Sequence, residues 1–228
     1  MIVVGTTLTA FAMDQQPLWA SWLTNLELLK ASHNEEVCYF AAIEVDKRGL
    51  EPFKPLIDSL NLINGQYFSY SYDDTRTEVT SGNRIPHICA GRNIVQDFAL
   101  ARHASHILFL DSDTTPDQQT FPKLLEMNHD LVGGEVGTYC LSGPVVDKYP
   151  FPVQEHWNTA GYLLASKRVY SRIRWRWDWS LSDDPCYAMD AKEFLGVPTY
   201  VRKDCIGRHY PECISPLENR GYNRTVVI

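Results

Sequence analysis

The sequence predicts an α/β protein with a mostly parallel central sheet flanked by helices. Three observations carry that expectation. Across residues 1–136, short apolar runs alternate with segments of three- and four-residue apolar spacing, the pattern of strands and helices built on one sheet. One run, Ile107 to Leu110, is wholly apolar and stops at Asp111-Ser112-Asp113, as a strand covered on both faces does where it leaves the core. No internal repeat or low-complexity linker interrupts the 228 residues, so one domain suffices.

Taken in order, Met1–Val4 reads as the first strand, with Gly5-Thr6-Thr7 turning over its end. Leu18, Trp19, Trp22, Leu23, Leu26 and Leu29 form one apolar face and predict a helix, with Pro17 tolerated in its first turn. Val37–Val45 is a second strand ending at Asp46, Leu50–Leu60 a second helix, and Gln66–Tyr72 a more polar strand near an edge. Residues 73–87 form a long polar loop, and such loops are often functional. A helix from about Ala90 to His103, with Ile94, Phe98 and Ala101 on one face, feeds the Ile107–Leu110 strand. Thr114-Thr115-Pro116 breaks that strand, a helix follows over Asp117–Met127, and Leu131–Val136 is another strand. Gly133, Gly134 and Gly137 there predict a close backbone approach.

The last third is less regular. Cys140–Gln154 reads as a loop, Thr159–Ala165 as a strand, and Lys167–Ile173 as a short helix. Arg174–Trp179 alternates charge and tryptophan with period two, which fits a strand burying three tryptophans better than an aromatic platform for a sugar or base. Ser182–Asp184 caps a helix running to about Leu195, Pro198–Arg202 is a last strand, and Cys205–Ile228 a tail.

Composition narrows the function. A net charge of -7 argues against a broad non-specific DNA-binding face. The N-terminal apolar run is too short for a signal peptide, and nothing approaches the roughly 20 apolar residues of a membrane span. The six cysteines contain no C-x-x-C pair, which predicts reduced thiols in a cytoplasm and no zinc cluster.

The chemistry concentrates at Asp111 and Asp113. Two carboxylates two residues apart, at the carboxyl end of a core strand, repel each other and lose water. Capping of the next helix accounts for one of them, not both. A hard divalent cation with oxygen ligands answers the need, and such ions are commonly shared with phosphate.

The ordered set of a strand, D-x-D (Asp111, Ser112, Asp113), T-A-G-Y-L-L-A (Thr159–Ala165), an acidic pair opening a helix (Asp183, Asp184) and a late histidine (His209) resembles the GT-A-fold glycosyltransferases, in particular the broad family 2-like group. The resemblance spans roughly residues 1–210. It implies a single Rossmann-like domain, with residues 1–136 as the nucleotide-sugar-binding half, 137–210 as an irregular acceptor-side half and 211–228 as a tail. It also implies a UDP- or GDP-linked sugar donor with Mn²⁺ or Mg²⁺. Asp113 would then bind the metal, Asp111 would contact it or the ribose, and His209 would complete the shell. Thr6 and Thr7 would receive the nucleoside, and Glu44 or Asp46 would read the base. Arg92, Ser112 and Gly161 would line the donor site. Asp184, with Asp183 beside it, would be the catalytic base. The family's Glu-Asp is Asp-Asp here, and the Q-x-x-R-W of processive synthases is missing, as are their membrane helices. The acceptor stays open among a saccharide, a protein side chain and a hydroxylated DNA base. A cytoplasmic enzyme of bacterial or phage origin would suit the chain.

Other readings fit parts of the pattern. Asp111-Ser112-Asp113-Thr114-Thr115 matches the first motif of haloacid-dehalogenase phosphatases, with Asp111 as nucleophile. That motif normally ends the first core strand, whereas at least three strands precede it here. A nucleotidyltransferase would want a basic Gly-rich loop after the first strand, and Gly5-Thr6-Thr7-Leu8 has no basic residue. A non-catalytic nucleotide-sugar-binding module would not need the paired acids.

Overall fold

The computed structural model describes residues 1–9, 36–46, 48–72, 85–112, 114–116, 119–136, 145–146, 153–155, 161–178 and 183–209. The helix expected over Leu18–Leu29, most of the polar loop, Asp113 and Trp179 lie outside the described residues.

Ten strands form one sheet. They are β1 (Ile2–Leu8), β2 (Val37–Glu44), β3 (Gln66–Tyr70), β4 (His106–Leu110), β5 (Thr114–Pro116), β6 (Leu131–Val136), β7 (Val145–Val146), β8 (Val153–Glu155), β9 (Tyr162–Ser166) and β10 (Tyr200–His209). The order is β3-β2-β1-β4-β9-β6-β10-β8-β7, with β5 on β10. Only β5, β8 and β9 run against the rest, so the sheet is mostly parallel.

Five helices are described: α1 (Lys54–Leu62), α2 (Ile85–Ala101), α3 (Thr120–Glu126), α4 (Lys167–Tyr170) and α5 (Asp183–Leu195). Successive strand residues point to opposite faces, so two apolar layers are needed to cover the sheet. Val4, Ile43 and Leu108 pack with Leu56 and Leu60 of α1 and Phe121 and Leu124 of α3. Their neighbours Val3, Ala42 and Ile107 pack with Val95 and Ala99 of α2, Val169 of α4 and Tyr187 of α5. The predicted fold class is the one observed, and β3 is the edge strand that its polarity implied.

Several elements differ from expectation. Gly5-Thr6-Thr7 is not a turn; it continues β1, where Thr6 and Thr7 pair with Ala41 and Ala42 and β-branched side chains suit the pleat. The helix α2 starts at Ile85, five residues early, because Pro86 is a residue of the first turn and not a breaker. Its buried face is His87, Cys89, Gly91, Arg92, Val95, Gln96 and Ala99; the expected Ile94 and Phe98 are half-buried against the same core, and Ala101 is exposed. Three polar side chains, His87, Arg92 and Gln96, sit on the inner face, and apolar spacing cannot register them.

Thr114–Pro116 does not merely break β4; it forms β5, antiparallel to Gly207–His209. The strand after Pro198 runs on to His209 through a bulge between Arg202 and Ile206, so its polar middle, Lys203-Asp204, is a bulge and not the start of a tail. The expected Cys140–Gln154 loop contains β7 and part of β8. Arg174–Trp179 is not a strand burying three tryptophans: Trp175 is buried while Trp177 is 39% exposed. The glycine prediction holds at Gly134, where an added Cβ would lie 2.6 Å from the Cys205 carbonyl oxygen.

The helix α2 is pressed onto β1 through two glycines. A Cβ at Gly5 would lie 2.1 Å from Val95 Cγ1, and one at Gly91 would lie 2.2 Å from Thr7 Cγ2. Gly5→Ala must therefore push α2 outward or distort β1. We expect a loss of roughly 1–3 kcal/mol, the usual range for overpacking, read as a lowered midpoint in chemical denaturation. An unchanged midpoint would mean that α2 and β1 are not in such close contact.

Candidate functional site

The topology picks out one edge of the sheet. From β1 the chain goes outward to β2 and β3 on one side, then returns to β4 on the other. The order reverses between β1 and β4, and in open α/β sheets ligands bind beyond the carboxyl ends of the strands at such a point. Thr6 and Thr7 lie near the end of β1, and Asp111 follows directly after β4.

At this edge three carboxylates converge on one buried guanidinium. Arg92 Nη2 donates to Asp111 Oδ1 and Oδ2 at 3.0 and 3.2 Å. Arg92 Nη1 donates to Asp184 Oδ1 at 2.9 Å and to Asp183 Oδ2. The guanidinium carbon lies 4.5 Å from the Trp175 ring centroid, and Trp175 stacks on Tyr187 of α5 at 4.0 Å. Burial alone would lower the pKa of this guanidinium, but the charges of Asp111, Asp183 and Asp184 hold it well above the ordinary arginine value.

Local sequence explains how the three acids meet. Asp183 and Asp184 open α5 just before Pro185, where a proline is tolerated and the helix dipole favours negative charge. Asp111 leaves β4 with its N–H donating to the Gly161 carbonyl at 3.2 Å, and its own carbonyl accepts from Thr114 N–H at 3.1 Å. The chain thus folds back directly after the strand. Cys89, one turn before Arg92, is no competing nucleophile: burial, with Asp183 adding to it, pushes its thiol up to about 12.

A second cluster lies on the α2 side of the sheet. Glu44, the last residue of β2, is buried and accepts a hydrogen bond from His87 Nδ1. The His87 ring lies against Tyr72 at a centroid distance of 4.4 Å, and the Tyr70 hydroxyl donates to the His87 carbonyl at 3.0 Å. Burial first, and the Glu44 charge second, keep the Tyr70 hydroxyl protonated. Glu44 Oε2 and the Thr7 hydroxyl are buried without a hydrogen-bond partner.

The sequence-predicted residues therefore sort into groups. Arg92, Asp111, Asp183 and Asp184 are brought together. Glu44 and Thr7 sit beside α2, Thr7 against Gly91 and Glu44 against His87. Ser112 is buried beside Asp111, and Gly161 meets Asp111 through its backbone. Asp46 is exposed and closes a local turn, taking the Arg48 N–H at 2.8 Å and the Arg48 guanidinium. His209 lies at the register position opposite Thr114, one residue beyond Asp113. Sequence reasoning missed His87, which it placed in a loop; Pro86 was the only local signal that a helix already holds it.

Hard oxygen donors are present for a divalent cation, and the Asp111 and Asp184 side chains are 34% and 20% exposed. Among the described residues, no three His, Cys, Asp or Glu side chains converge as a ligand set.

No protein-family model matches the chain, and no curated protein matches it. Solved structures do. A nucleoside-diphosphate-sugar pyrophosphorylase from Vibrio cholerae superposes with a TM-score of 0.52 at 10% identity, covering 91% of this chain and 92% of that one. A Thermus thermophilus protein described as a mannose-1-phosphate geranyltransferase gives a TM-score of 0.43 at 12% identity, over 92% of this chain and 75% of its own. A glycosyltransferase involved in glycosylation of the major capsid of PBCV-1 gives 0.42 at 13% identity, over 92% and 94%. The chain thus shares with the Vibrio cholerae protein an α/β fold of the GT-A-like kind.

Removing the shared cation isolates its contribution. Arg92→Met keeps much of the stem volume but leaves Asp183 and Asp111 without the guanidinium. We expect about 3–5 kcal/mol of destabilisation, as for a buried ion pair stripped of one partner, measured by urea denaturation at pH 7. A loss below ~1 kcal/mol would place the cluster in water.

Proposed function

We propose that this protein is a glycosyltransferase that moves a sugar from a UDP- or GDP-linked donor to an acceptor hydroxyl with the help of a divalent cation. The observation that carries the reading is the convergence of Asp111, Asp183 and Asp184 on Arg92 at the topological switch point. A merely structural ion pair would need only one acid.

In this reading the donor diphosphate lies over the β1–β4 edge. Asp113, with Asp111 and His209, would hold Mn²⁺ or Mg²⁺. The ion supplies charge stabilisation where negative charge grows on the departing nucleoside diphosphate. The acceptor oxygen attacks the anomeric carbon, the bond from that carbon to the diphosphate oxygen breaks, and the acceptor proton passes to Asp184. The guanidinium of Arg92 is engaged by the three carboxylates, so its role is to hold Asp111, Asp183 and Asp184 in place and not to grip phosphate. Thr6 and Thr7 would flank the nucleoside and Glu44 its base, while exposed Asp46 has a sufficient local use in its turn. Residues 137–210 would supply the acceptor side.

The phosphatase alternative gains nothing from the geometry. Three strands precede β4, and both oxygens of Asp111, its would-be nucleophile, accept from Arg92.

Two measurements test the proposal. Thermal-shift titration with UDP- and GDP-sugars should raise the melting temperature only when Mn²⁺ or Mg²⁺ is present, because a ligand of the native state stabilises by mass action. Asp113→Ala should abolish that shift with little change in the ligand-free melting temperature; retained binding would remove the metal from the mechanism. Asp184→Asn should keep donor binding and lower kcat by about 10²–10⁴, the worth of a positioned base. Unaltered turnover in that variant would move the base elsewhere.

A further inference from the structure

The two ends of the sheet are finished differently. At one end lies β7, only two residues long. At the other lies β3, Gln66-Tyr67-Phe68-Ser69-Tyr70, a regular strand with no break in its register against β2. A sheet edge presents a row of unpaired N–H and C=O groups that invites another strand, and it is normally blunted by shortness, by lysine or proline, or by a bulge. Its length blunts β7. No such device is present in β3, which contains no charged residue, no proline and no glycine.

One hydrogen bond fixes the direction of the free groups. Val45 N–H donates to the Tyr70 carbonyl at 2.8 Å, and Tyr70 is in register with Glu44. In a strand the N–H and C=O of one residue point to the same side, and that side alternates along the chain. Gln66, Phe68 and Tyr70 therefore bond to β2, whereas the N–H and C=O of Tyr67 and Ser69 point out of the sheet edge. Side chains alternate as well. The Tyr70 hydroxyl reaches His87 on the α2 face, so Phe68 lies on that face and Tyr67 on the other. Phe68 is 53% exposed and Tyr67 40%. Among the described residues, no strand pairs with this edge.

We propose that β3 is a self-association edge: a second copy of this chain pairs with it antiparallel, about a two-fold axis at Phe68, and joins two ten-stranded sheets into one. Both strands can bond only where outward residues face outward residues. The register centred on Phe68 uses both of them, with Tyr67 opposite the partner's Ser69 and Ser69 opposite the partner's Tyr67. Each such pair exchanges two N–H···O bonds, which gives about four across the edge. Phe68 then meets its own copy as the closer, non-hydrogen-bonded kind of pair, where aromatic side chains add stability.

Charge favours a copy of this chain as the occupant. The strand is uncharged, so its copy brings no like charge across the edge. Arg102 donates to Gln66 Oε1 at 3.0 Å, which places one cation at one end of the strand. Antiparallel pairing sets the two Arg102 side chains at opposite ends, about 13 Å apart along the strands, beyond the screening length at physiological salt. A two-fold contact also closes on itself, so assembly stops at two. This edge takes no part in the proposed reaction.

Sedimentation velocity of the full chain from about 1 to 200 μM tests it; we expect a shift from monomer to dimer with a Kd on the order of 10 μM, as for a small interface. Phe68→Lys places two like charges face to face at the axis and should raise that Kd about tenfold or more. Phe68→Cys should cross-link two copies under mild oxidation, whereas Gln66→Cys should not, with the unaltered chain as the control for its own cysteines. Both positions are exposed, so the variants keep the fold. A monomer at every concentration overturns the proposal. So does a dimer that Phe68→Lys leaves unchanged, or equal cross-linking through both cysteine positions, since either puts the contact elsewhere. Slow exchange of the Tyr67 and Ser69 amides already in dilute monomer would mean that another segment of the chain covers the edge, and overturns it too.

Discussion

One buried guanidinium organises the candidate site. Arg92 joins the end of β4, through Asp111, to the first turn of α5, through Asp183 and Asp184, and it does so from the middle of α2. The first turn of α5 is more than 70 residues beyond β4 in sequence, so side chains bring it to α2 and β4. Such a cluster is a poor way to gain stability, because desolvating the charges consumes most of what their attraction returns. Apolar residues of similar size would serve the core at least as well. Its position at the sheet's switch point is what gives the arrangement a purpose: it holds three carboxylates at a fixed separation beside a place where ligands bind.

The helix that carries Arg92 also carries His87, five residues earlier, or roughly 7.5 Å along the axis. One side chain faces the acids beyond β4, and the other reaches Glu44 at the end of β2. Both positions depend on how closely α2 lies on β1. That closeness is set by two missing side chains, since Gly5 admits Val95 and Gly91 admits Thr7. A packing constraint in the core thereby fixes the distance between two polar clusters at the surface edge.

Most of the fold was legible because it follows from apolar periodicity. The core strands β2 and β4 are built on continuous apolar runs, and a run of that kind has few alternatives. Where the structure departs from the reading, a polar residue is buried or a breaker is not breaking. The inner face of α2 contains His87, Arg92 and Gln96, so its apolar stripe, with Phe98 stacked on Phe40, marks only the rim of the buried face. The polar middle of β10 is a bulge, held by Arg202 bonding to Asp204 at 2.7 Å. The site was legible in part. Acids at the end of a buried strand and at a helix start stand out in a sequence, but nothing in the spacing says that one arginine joins them. His87 could not be found at all, because its significance comes only from Glu44, 43 positions away.

The acid cluster also constrains the order of events in the proposed reaction. One arginine offsets at most one of the three negative charges gathered around it, and in the sequence Asp113 is a further acid two residues after Asp111. A diphosphate approaching such an edge without a cation would meet like charge at short range, where partial burial weakens screening by salt. Under the proposed function the donor would therefore bind together with a positive ion, and the affinity of each would rise with occupancy by the other.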